Sequence, residues 1–478
     1  MMKFELVIPA HRETALVWVS EFVFREVLGF NVEFSCAETD EIVLRAGEQQ
    51  LVLTSVFPNL REERESWHLQ TPVEPLATAD LAALGLLELA HLAPLPNLYG
   101  APTLTITPDR IHCGIDIFGS IFFMLSRFEE VVRPEHDAHD RFPANASLAF
   151  RADFLLRPIV DEYIDLLWTL MKRLWPGIER LEPNGRIHVS CDVDQPFDRV
   201  KSNPRALVRG LGGDLLVRKS LGTAAKRATN FVTHRFGTHR FDPFYNFEWY
   251  MDVCEKAGLR AAFYFIADHS GGAMDGDYNI FEPRILALMR AIHRRGHEIG
   301  MHGSYNTFRD PEQMLRERAR LQDALRTAGL DPNVAGNRQH YLRWDSAQTP
   351  DILDLAGFQY DTTGSFADHP GFRYGTSRSF PMWSWQRHAP LRLRQRPLVL
   401  MECSVLGEGY MNFGYTHRTF DLMKDLRRAA ISCGGDFTLL WHNSHLLTHM
   451  DRMFFEKIIV PPQAQKDSAD PWLGSEMR

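Results

Sequence analysis

Residues 186–194 read RIHVSCDVD, an apolar, strand-like run that ends in two carboxylates, Asp192 and Asp194. Side chains alternate along a strand, so residues two apart point to the same face of a sheet. Like charges held that close repel each other unless a cation lies between them or one proton is shared. The stretch therefore predicts a metal-binding or acid–base pair. The alternative interpretation is a turn, because Asp shortly before a proline, here Pro196, is common in turns.

Four further patches of ionisable residues follow strand-like runs downstream. They are HEIGMH at 297–302, NRQHY at 337–341, YDTT at 360–363 and LLWHN at 439–443. In α/β folds, the carboxyl ends of strands are where ligands and catalytic groups collect. From about residue 185 strands and helices alternate, which predicts a mostly parallel sheet, open or closed into a barrel. Five patches in one chain order indicate an active site.

The histidines of the second patch raise the question of a metalloprotease. His297 and Glu298 begin the HExxH pattern, but the second histidine, His302, falls five residues later instead of four. Five helical steps leave the second ring about 140° further round, so the two rings would not share a face. We therefore reject a protease, expect a structural role for His297, and expect His302 to be a ligand at a strand end.

Composition sets the broad class of protein. The chain has 478 residues, of which 45% are apolar and 24% charged, and its formal net charge is -8. These values are typical of a soluble globular protein of two domains and give no sign of nucleic-acid binding. The six cysteines are dispersed, without a CxxC pair, so we expect free thiols. No signal peptide and no apolar run of roughly 18–20 residues is found, which favours a cytoplasmic location without an integral membrane segment.

The chain divides into four predicted parts. Residues 1–150 are expected to form an α/β accessory domain, in which 81–92 has helical periodicity, and 151–184 a linking helix over Arg151 to Trp175. Residues 185–460 hold the strand–helix units, with one strand predicted from Pro397 to Glu402, and 461–478 form a polar tail. Residues 201–240 carry nine Lys/Arg against a single acid, Asp214. This segment predicts peripheral contact with an acidic glycan or a membrane surface, or else a solvated helical insertion.

The order of the five patches resembles the polysaccharide deacetylases, carbohydrate esterase family 4, over roughly residues 185–445. The resemblance implies a distorted (β/α) barrel, a divalent metal and hydrolysis of acetyl groups from amino sugars. It also implies that residues 1–150 are the accessory domain of an intracellular branch linked to glycan biosynthesis. Position by position, the resemblance implies these roles: Asp192, catalytic base; Asp194 and His302, metal ligands; Arg338, the arginine that steadies the base; Tyr341, backbone N–H of the oxyanion hole; Asp361, tuning of the general acid; His442, general acid; Leu440, acetate pocket.

Two positions depart from the family pattern. Asn306 stands where the family has its second metal histidine, and an amide oxygen is a weaker and harder ligand than imidazole. We expect Asn306 to be the third ligand, with the ion zinc or one of the oxygen-preferring alternatives manganese, cobalt and magnesium. His340 replaces the usual proline of the third patch, and our second hypothesis is that His340 supplies the missing nitrogen.

Three functions are compatible with these residues. The first is a metal-dependent hydrolase that removes an N-acetyl group from an amino sugar of a glycan or its precursor. The second is a metal-independent amidohydrolase of the same fold. The third is a catalytically silent glycan-binding module, although such a binder has no need of both Asp192 and His442.

Overall fold

The computed structural model describes residues 3–198, 203–236 and 238–460. The predicted polar tail, 461–478, lies outside the described residues. The first half is built around a mixed sheet that is covered by helices. Its strands are β1 (Phe4–Pro9), β2 (Val32–Ala37), β3 (Glu41–Ala46), β4 (Gln49–Thr54), β5 (Ala77–Ala79), β6 (Leu95–Asn97), β7 (Gly100–Ile106) and β8 (Arg110–Ile115). The strand order is β2-β1-β3-β4-β8-β7, and β5 pairs with β6 separately.

The helices of this half pack their apolar faces on that sheet. They are α1 (Glu13–Ser20, continued by a π-helical stretch over Glu21–Leu28), α2 (Ile117–Ser126), α3 (Phe128–Val132), α4 (Leu148–Arg151) and α5 (Ile159–Leu174). The predicted linking helix is therefore shorter than expected and begins at Ile159, because the preceding Pro158 ends any helix running into it. Residues such as Tyr163 and Leu167 of α5 are fully buried in the core of the first half.

The second half contains a sheet that is parallel except for one edge strand. Its strands are β9 (Ile187–Val193), β10 (Ala261–Ile266), β11 (Glu298–Gly303), β12 (Gly336–Gln339), β13 (Tyr360–Asp361), β14 (Phe380–Ser384), β15 (Ala389–Gln395), β16 (Leu400–Met401) and β17 (Phe437–Leu440). Their order is β14-β15-β13-β12-β11-β10-β9-β17-β16. Among the described strands of this second sheet, only β14 and β15 pair in an antiparallel way. The α/β class is confirmed. In the described part of the chain no pairing joins β14 to β16, so a closed barrel stays a prediction.

Helices connect these strands and cover the sheet. They are α6 (Pro204–Gly212, continued by a π-helical stretch over Gly213–Val217), α7 (Leu221–Thr233), α8 (Phe247–Lys256), α9 (Pro283–Arg294), α10 (Pro311–Thr327), α11 (Thr349–Ala356), α12 (Glu402–Leu406), α13 (His417–Ser432) and α14 (His449–Ile459). The strand predicted from Pro397 to Glu402 is only two residues long, and Glu402 begins α12 instead. A second apolar core lies between this sheet and its helices.

The two halves share a buried interface. Trp383 and Trp385 of the β14 region are 2% and 6% exposed and belong to the core of the first half. Trp18 packs against Trp383 with ring centroids 5.2 Å apart. At the same interface Arg373 makes two hydrogen bonds to Glu130, of 2.8 and 2.7 Å. The halves are thus joined by both aromatic packing and a buried ion pair.

Candidate metal centre and catalytic pocket

A pocket of about 220 Å³ opens at the carboxyl ends of the parallel strands. The strands deliver their last residues to it because all run in the same direction through the centre of the sheet. It brings together five of the predicted site residues and leaves Arg338, Asp361 and Asn306 outside its lining. Its polar lining is formed by Arg141, Asp192, Asp194, Gln195, Asp275, His302, His340, Tyr341, Cys403, Tyr410, His442, Ser444 and His445.

Asp194, His302 and His340 place three ligand atoms within 4.8 Å of one another. Asp194 Oδ1 lies 3.2 Å from His302 Nε2 and 3.6 Å from His340 Nε2. Asp194 Oδ1 is also buried and has no hydrogen-bond partner among the described residues. One carboxylate oxygen and two imidazole nitrogens are a donor set that suits Zn²⁺ and its first-row neighbours. The residues present therefore fit a divalent metal.

The Nδ1 atom of each imidazole also has a hydrogen-bond partner. His302 Nδ1 donates to the Arg338 carbonyl at 2.9 Å, and His340 Nδ1 donates to Asp275 Oδ1 at 2.8 Å. Such partners fix the tautomer and leave Nε2 with its lone pair toward the ligand position. Asp275 is itself held by the backbone N–H groups of Gly271 and Tyr305. This second layer is typical of metal-bound histidines.

Asn306, predicted as the third metal ligand, lies elsewhere. Its side chain is exposed, its Nδ2 donates to the Ser270 carbonyl at 2.8 Å, and its Oδ1 accepts from Arg343 at 3.3 Å. The assignment is corrected because the short turn after β11 carries Asn306 to the surface. His340, the second hypothesis, lies beside Asp194 and His302 instead, with its Nε2 3.6 Å from Asp194 Oδ1.

Asp192 is buried beside the metal cluster. Its Oδ2 lies 3.7 Å from His302 Nε2, and its Oδ1 lies 3.8 Å from Arg338 Nη1. Arg338 is completely buried, and its Nη2 donates to Ser190 Oγ at 2.9 Å. Both Asp192 Oδ1 and Arg338 Nη1 lack a hydrogen-bond partner among the described residues. The carboxylate therefore lies between the arginine and the metal cluster, with an oxygen available to accept a proton.

His442 follows β17 and meets a carboxylate that the sequence did not indicate. Its Nδ1 donates to Glu402 Oε1 at 2.6 Å, and its Nε2 lies 3.6 Å from Asp194 Oδ2. The expected tuning of this histidine by Asp361 is corrected. The Asp361 carboxylate is fully buried and accepts from Asn337, Thr363 and Gln395. Glu402 takes the position beside His442 because β16 ends next to β17 in the sheet.

Two charge effects follow from these contacts. Burial alone would raise the pKa of the Asp194 carboxyl, but the neighbouring His340 and His302 outweigh it and hold that pKa well below its usual range. Burial alone would lower the pKa of His442, but the Glu402 carboxylate raises it well above the ordinary value. Asp194 is therefore ionised, and His442 keeps a proton at neutral pH.

Tyr341 forms a strained part of the pocket wall. It has φ 60° and the next residue, Leu342, has φ 54°, a left-handed backbone that costs about 1–2 kcal/mol per non-glycine residue. Arg141 donates to the Tyr341 carbonyl at 2.8 Å, and its guanidinium is paired with Asp137. The contribution of the first half to the pocket was not predicted, because nothing in the charged stretch after α3 indicates the partner of Arg141.

One wall of the pocket is apolar. It is formed by Leu342, Ala367 and Met401, which pack on Leu440 in a small cluster. Leu440, predicted to line an acetate pocket, is fully buried behind this wall and does not line it.

Two other predictions concern residues outside the pocket. His297 is buried, accepts from the Ala261 N–H at 2.9 Å and lies 3.1 Å from Glu255, which confirms its structural role. In the basic segment Arg227 is buried in ion pairs with Asp214 and Asp198. Lys201 and the Arg235 side chain lie outside the described residues.

Within the described ranges, none of the helices combines the length and apolarity that crossing a bilayer requires.

Comparisons with known proteins cover both halves. Residues 6–176 match the model of a family of unknown function, DUF7033. A search of curated proteins finds no match. A solved structure from Mycobacterium smegmatis, assigned as a polysaccharide deacetylase, is similar with a TM-score of 0.39 and 17% identity, covering 60% of this chain and 87% of that one.

Two further solved structures are similar at the same level. One from Pseudomonas aeruginosa PAO1, also assigned as a polysaccharide deacetylase, has a TM-score of 0.36 and 13% identity, covering 67% of this chain and 92% of that one. Puue allantoinase has a TM-score of 0.36 and 13% identity, covering 61% and 87%. At these values the similarity assigns neither activity nor substrate.

Proposed function

We propose that the protein is a metal-dependent hydrolase that removes the N-acetyl group from an amino sugar of a glycan or glycan precursor. The observation that supports this most directly is the convergence of Asp194, His302 and His340 in one pocket with Asp192 and His442. A three-ligand site beside a buried carboxylate and a histidine provides every group that metal-assisted amide hydrolysis requires.

Asp194, His302 and His340 would hold the ion. When bound there, a divalent metal lowers the pKa of a coordinated water and polarises the substrate carbonyl. The orphaned Asp194 Oδ1 and the two Nε2 atoms turned toward it are the atoms available for this purpose. Their outer partners, Arg338 O and Asp275, keep both rings in the required orientation.

The chain's own residues supply the proton transfers. Asp192 accepts a proton from the attacking water, and the buried guanidinium of Arg338 lies 3.8 Å from its carboxylate. A C–O bond forms at the acetyl carbon, and its carbonyl oxygen accepts a hydrogen bond from the Tyr341 N–H. His442 then donates its Nε2 proton to the leaving amine as the C–N bond breaks, which yields acetate and a free amino sugar.

The pocket wall is consistent with an acetyl group. Leu342, Ala367 and Met401 offer a small apolar surface beside the metal ligands. Arg141, Tyr410 and Gln195 at the same pocket can hydrogen-bond the hydroxyl groups of a sugar. The ordered motifs that resemble the polysaccharide deacetylases give further support to a carbohydrate substrate.

The test uses the full chain, freed of metal and reloaded with Zn²⁺, Mn²⁺ or Co²⁺, and measures acetate release from N-acetylglucosamine oligomers. Asp192→Asn should lower the rate by about 10²–10⁴-fold, which is the usual contribution of a general base, while metal affinity stays the same. Asp323→Asn, an exposed carboxylate on α10, is the matched control and should leave the rate unchanged. Full activity of Asp192→Asn would remove this assignment.

Two alternatives are outcomes of the same experiment. Hydrolysis of small amides that persists in chelator would favour a metal-independent amidohydrolase. Binding of the oligomers without acetate release, unaffected by His442→Ala, would favour a silent glycan-binding module.

A further inference from the structure

A second group of metal-ligating side chains lies beside the proposed catalytic centre. We call it the thiol cluster, and its members are Glu402, Cys403, His442 and His445. Glu402 and Cys403 begin α12 at the end of β16, whereas the two histidines follow β17 at a spacing of three residues. Because β16 and β17 are paired in parallel, their ends bring the four side chains together.

The distances are those of a preformed ligand set. Glu402 Oε1 lies 2.6 Å from His442 Nδ1 and 2.9 Å from His445 Nδ1. Cys403 Sγ lies 3.1 Å from His445 Nδ1 and 3.5 Å from Glu402 Oε1. All four donor atoms lie within 4.8 Å of one another. Tetrahedral Zn²⁺ bonds of about 2.0–2.3 Å place neighbouring ligand atoms roughly 3.3–3.8 Å apart, so the set needs only a small expansion.

An independent observation also indicates a ligand. Glu402 is 2% exposed, yet its Oε2 is buried without a hydrogen-bond partner among the described residues. A buried carboxylate oxygen without a partner is unfavourable unless a cation or proton occupies the space next to it. Cys403 is a partly exposed free thiol that lines the pocket.

We propose that the thiol cluster is a second divalent-metal site, separate from Asp194, His302 and His340. One thiolate, two imidazoles and one carboxylate select a borderline ion such as Zn²⁺ over oxygen-preferring Mg²⁺ or Mn²⁺. Binding releases the thiol proton of Cys403 and the Nδ1 protons of His442 and His445 to the solvent.

Occupancy of the thiol cluster has a consequence for the proposed hydrolase. His442 would hold the ion through Nδ1 and would give up the hydrogen bond that this atom donates to Glu402, which orients the ring. An ion bound here therefore inhibits the proton transfer to the leaving amine. This part of the inference rests on the proposed function, whereas the site itself does not.

The test is a Co²⁺ titration of the metal-free full chain, followed by absorption spectroscopy. We expect two equivalents to bind and a thiolate-to-cobalt charge-transfer band to appear in the near ultraviolet. Cys403→Ser should lose the band and one equivalent. Asp194→Ala should lose the other equivalent and keep the band. Cys433→Ser, another partly exposed cysteine, is the matched control and should keep both.

The outcomes separate the two sites. Absence of the band in the unmodified protein, or its persistence in Cys403→Ser, would overturn the second site. Loss of the band in Asp194→Ala would show that the cluster is not an independent site. Unchanged stoichiometry in Asp194→Ala would instead contradict the metal centre of the proposed function. With an active enzyme, excess Zn²⁺ should inhibit the unmodified protein and not Cys403→Ser.

A different observation carries a second inference. Of the 17 exposed large apolar side chains among the described residues, seven lie between residues 208 and 236, where they share a surface with basic residues. We call residues 203–236 the basic insertion. Its exposed apolar side chains are Val208, Leu215, Leu216, Val217, Leu221, Val232 and Phe236. Its exposed basic side chains are Arg205, Arg209, Arg218, Lys219 and Lys226.

We infer that the basic insertion docks on a membrane surface rich in anionic lipid. Exposed Leu, Val and Phe beside Lys and Arg on short helices are typical of interfacial membrane binding. The positive charge is a property of this segment and not of the whole chain, which has a formal net charge of -8. Arg227 of α7 is paired with Asp214 of the π-helical stretch that continues α6. This ion pair holds the two helical segments together, so the apolar side chains lie on a folded element.

The surface adjoins the catalytic pocket. Val217 and Arg218 line a second cavity together with Glu402, Cys403 and His445, and the last two of these also line the first pocket. Thr223 of α7 donates to the Leu447 carbonyl at 2.8 Å, which fixes the insertion beside His445. A membrane bound there would lie next to the pocket mouth.

Co-sedimentation of the full chain with vesicles tests this docking. We expect binding to vesicles of phosphatidylcholine with phosphatidylglycerol and none to phosphatidylcholine alone. Leu216→Ser with Val217→Ser should reduce binding more than tenfold. Leu69→Ser with Val73→Ser, an exposed apolar pair in the first half, is the matched control. Equal binding by both double variants, or none by the unmodified protein, would overturn the inference.

Discussion

At the residue scale, the structure differs from the sequence-based prediction in the identity of the third candidate metal ligand. His302 and His340 come from the neighbouring strands β11 and β12, and their Nε2 atoms lie 3.2 and 3.6 Å from the same oxygen of Asp194. Asn306 instead lies in the turn that follows β11, where its Nδ2 donates to the Ser270 carbonyl. In the candidate donor set the third residue therefore comes from the next strand end, and the set keeps two imidazoles.

We predict that His340→Ala weakens metal binding by more than the roughly 10–100-fold that loss of an outer partner costs. Asn306→Ala should leave the affinity unchanged, because its side chain faces the solvent. Isothermal titration of the metal-free protein with Zn²⁺ measures both. The reverse result, a loss only in Asn306→Ala, would restore the amide oxygen as ligand.

Glu402 is predicted to act as a positioning residue for His442. Glu402→Gln removes the charge that raises the pKa of His442, so the proton is lost at lower pH. We expect kcat to fall by about 10²–10³-fold with little change in KM, and the basic limb of the kcat–pH profile to move to lower pH. A uniform loss of activity with an unchanged profile would indicate a structural role only.

At the scale of elements, helix α10 supports strand β11 through one buried acid. Glu317 is 0% exposed and accepts from the Ser304 backbone N–H at 3.0 Å and from Gln313 at 2.8 Å. Ser304 directly follows β11, which carries His302. Burial raises the pKa of Glu317 to about 7, although these hydrogen bonds oppose the shift.

The pH dependence of stability follows from this shift. The folded state holds the Glu317 proton up to about pH 7, whereas the unfolded state loses it near 4.5. The contribution is therefore complete below about pH 4.5 and is lost as the pH rises through about 7, by up to about 3 kcal/mol. Glu317→Gln should flatten this fall, as measured by urea unfolding between pH 5 and 8. An unchanged slope would contradict the prediction.

Strands such as β10 (AAFYFI) and β17 (FTLL) can be predicted from the sequence because each is a mostly apolar run that is soon followed by polar residues. The helix expected at 81–92 was wrong, because Gly85 adopts φ 84° and breaks the periodic run into turns. Residue spacing alone did not reveal that the end of β16 would bring Glu402 to His442, since that contact depends on strand pairing 40 residues apart in sequence.

At the scale of the whole molecule, one buried ion pair joins the halves. Glu130 and Arg373 have side chains 3% exposed, and Arg127 donates to the same carboxylate at 2.8 Å. Burial raises the pKa of Glu130, but the two arginines outweigh it and hold the pKa at about 2. A second pair across the interface, Glu26 with Arg394, is 36% exposed on each side.

These two pairs form a matched test of the interface. Glu130→Gln should lower the free energy of unfolding by about 3–5 kcal/mol, because it leaves buried arginines without a counter-charge. Glu26→Gln should lower it by no more than about 1 kcal/mol, because water screens an exposed pair. Denaturant unfolding measures both, and equal effects would contradict the role assigned to Glu130.

The Arg141–Tyr341 contact bears on how this protein can evolve. The guanidinium of the first half holds the carbonyl of a left-handed residue in the wall of the second half's pocket. The halves are therefore not exchangeable modules, since a chimera with a different first half would lose that support. Selection on the chemistry of the second half extends to an arginine 200 residues away in sequence, so the two halves are expected to be inherited together.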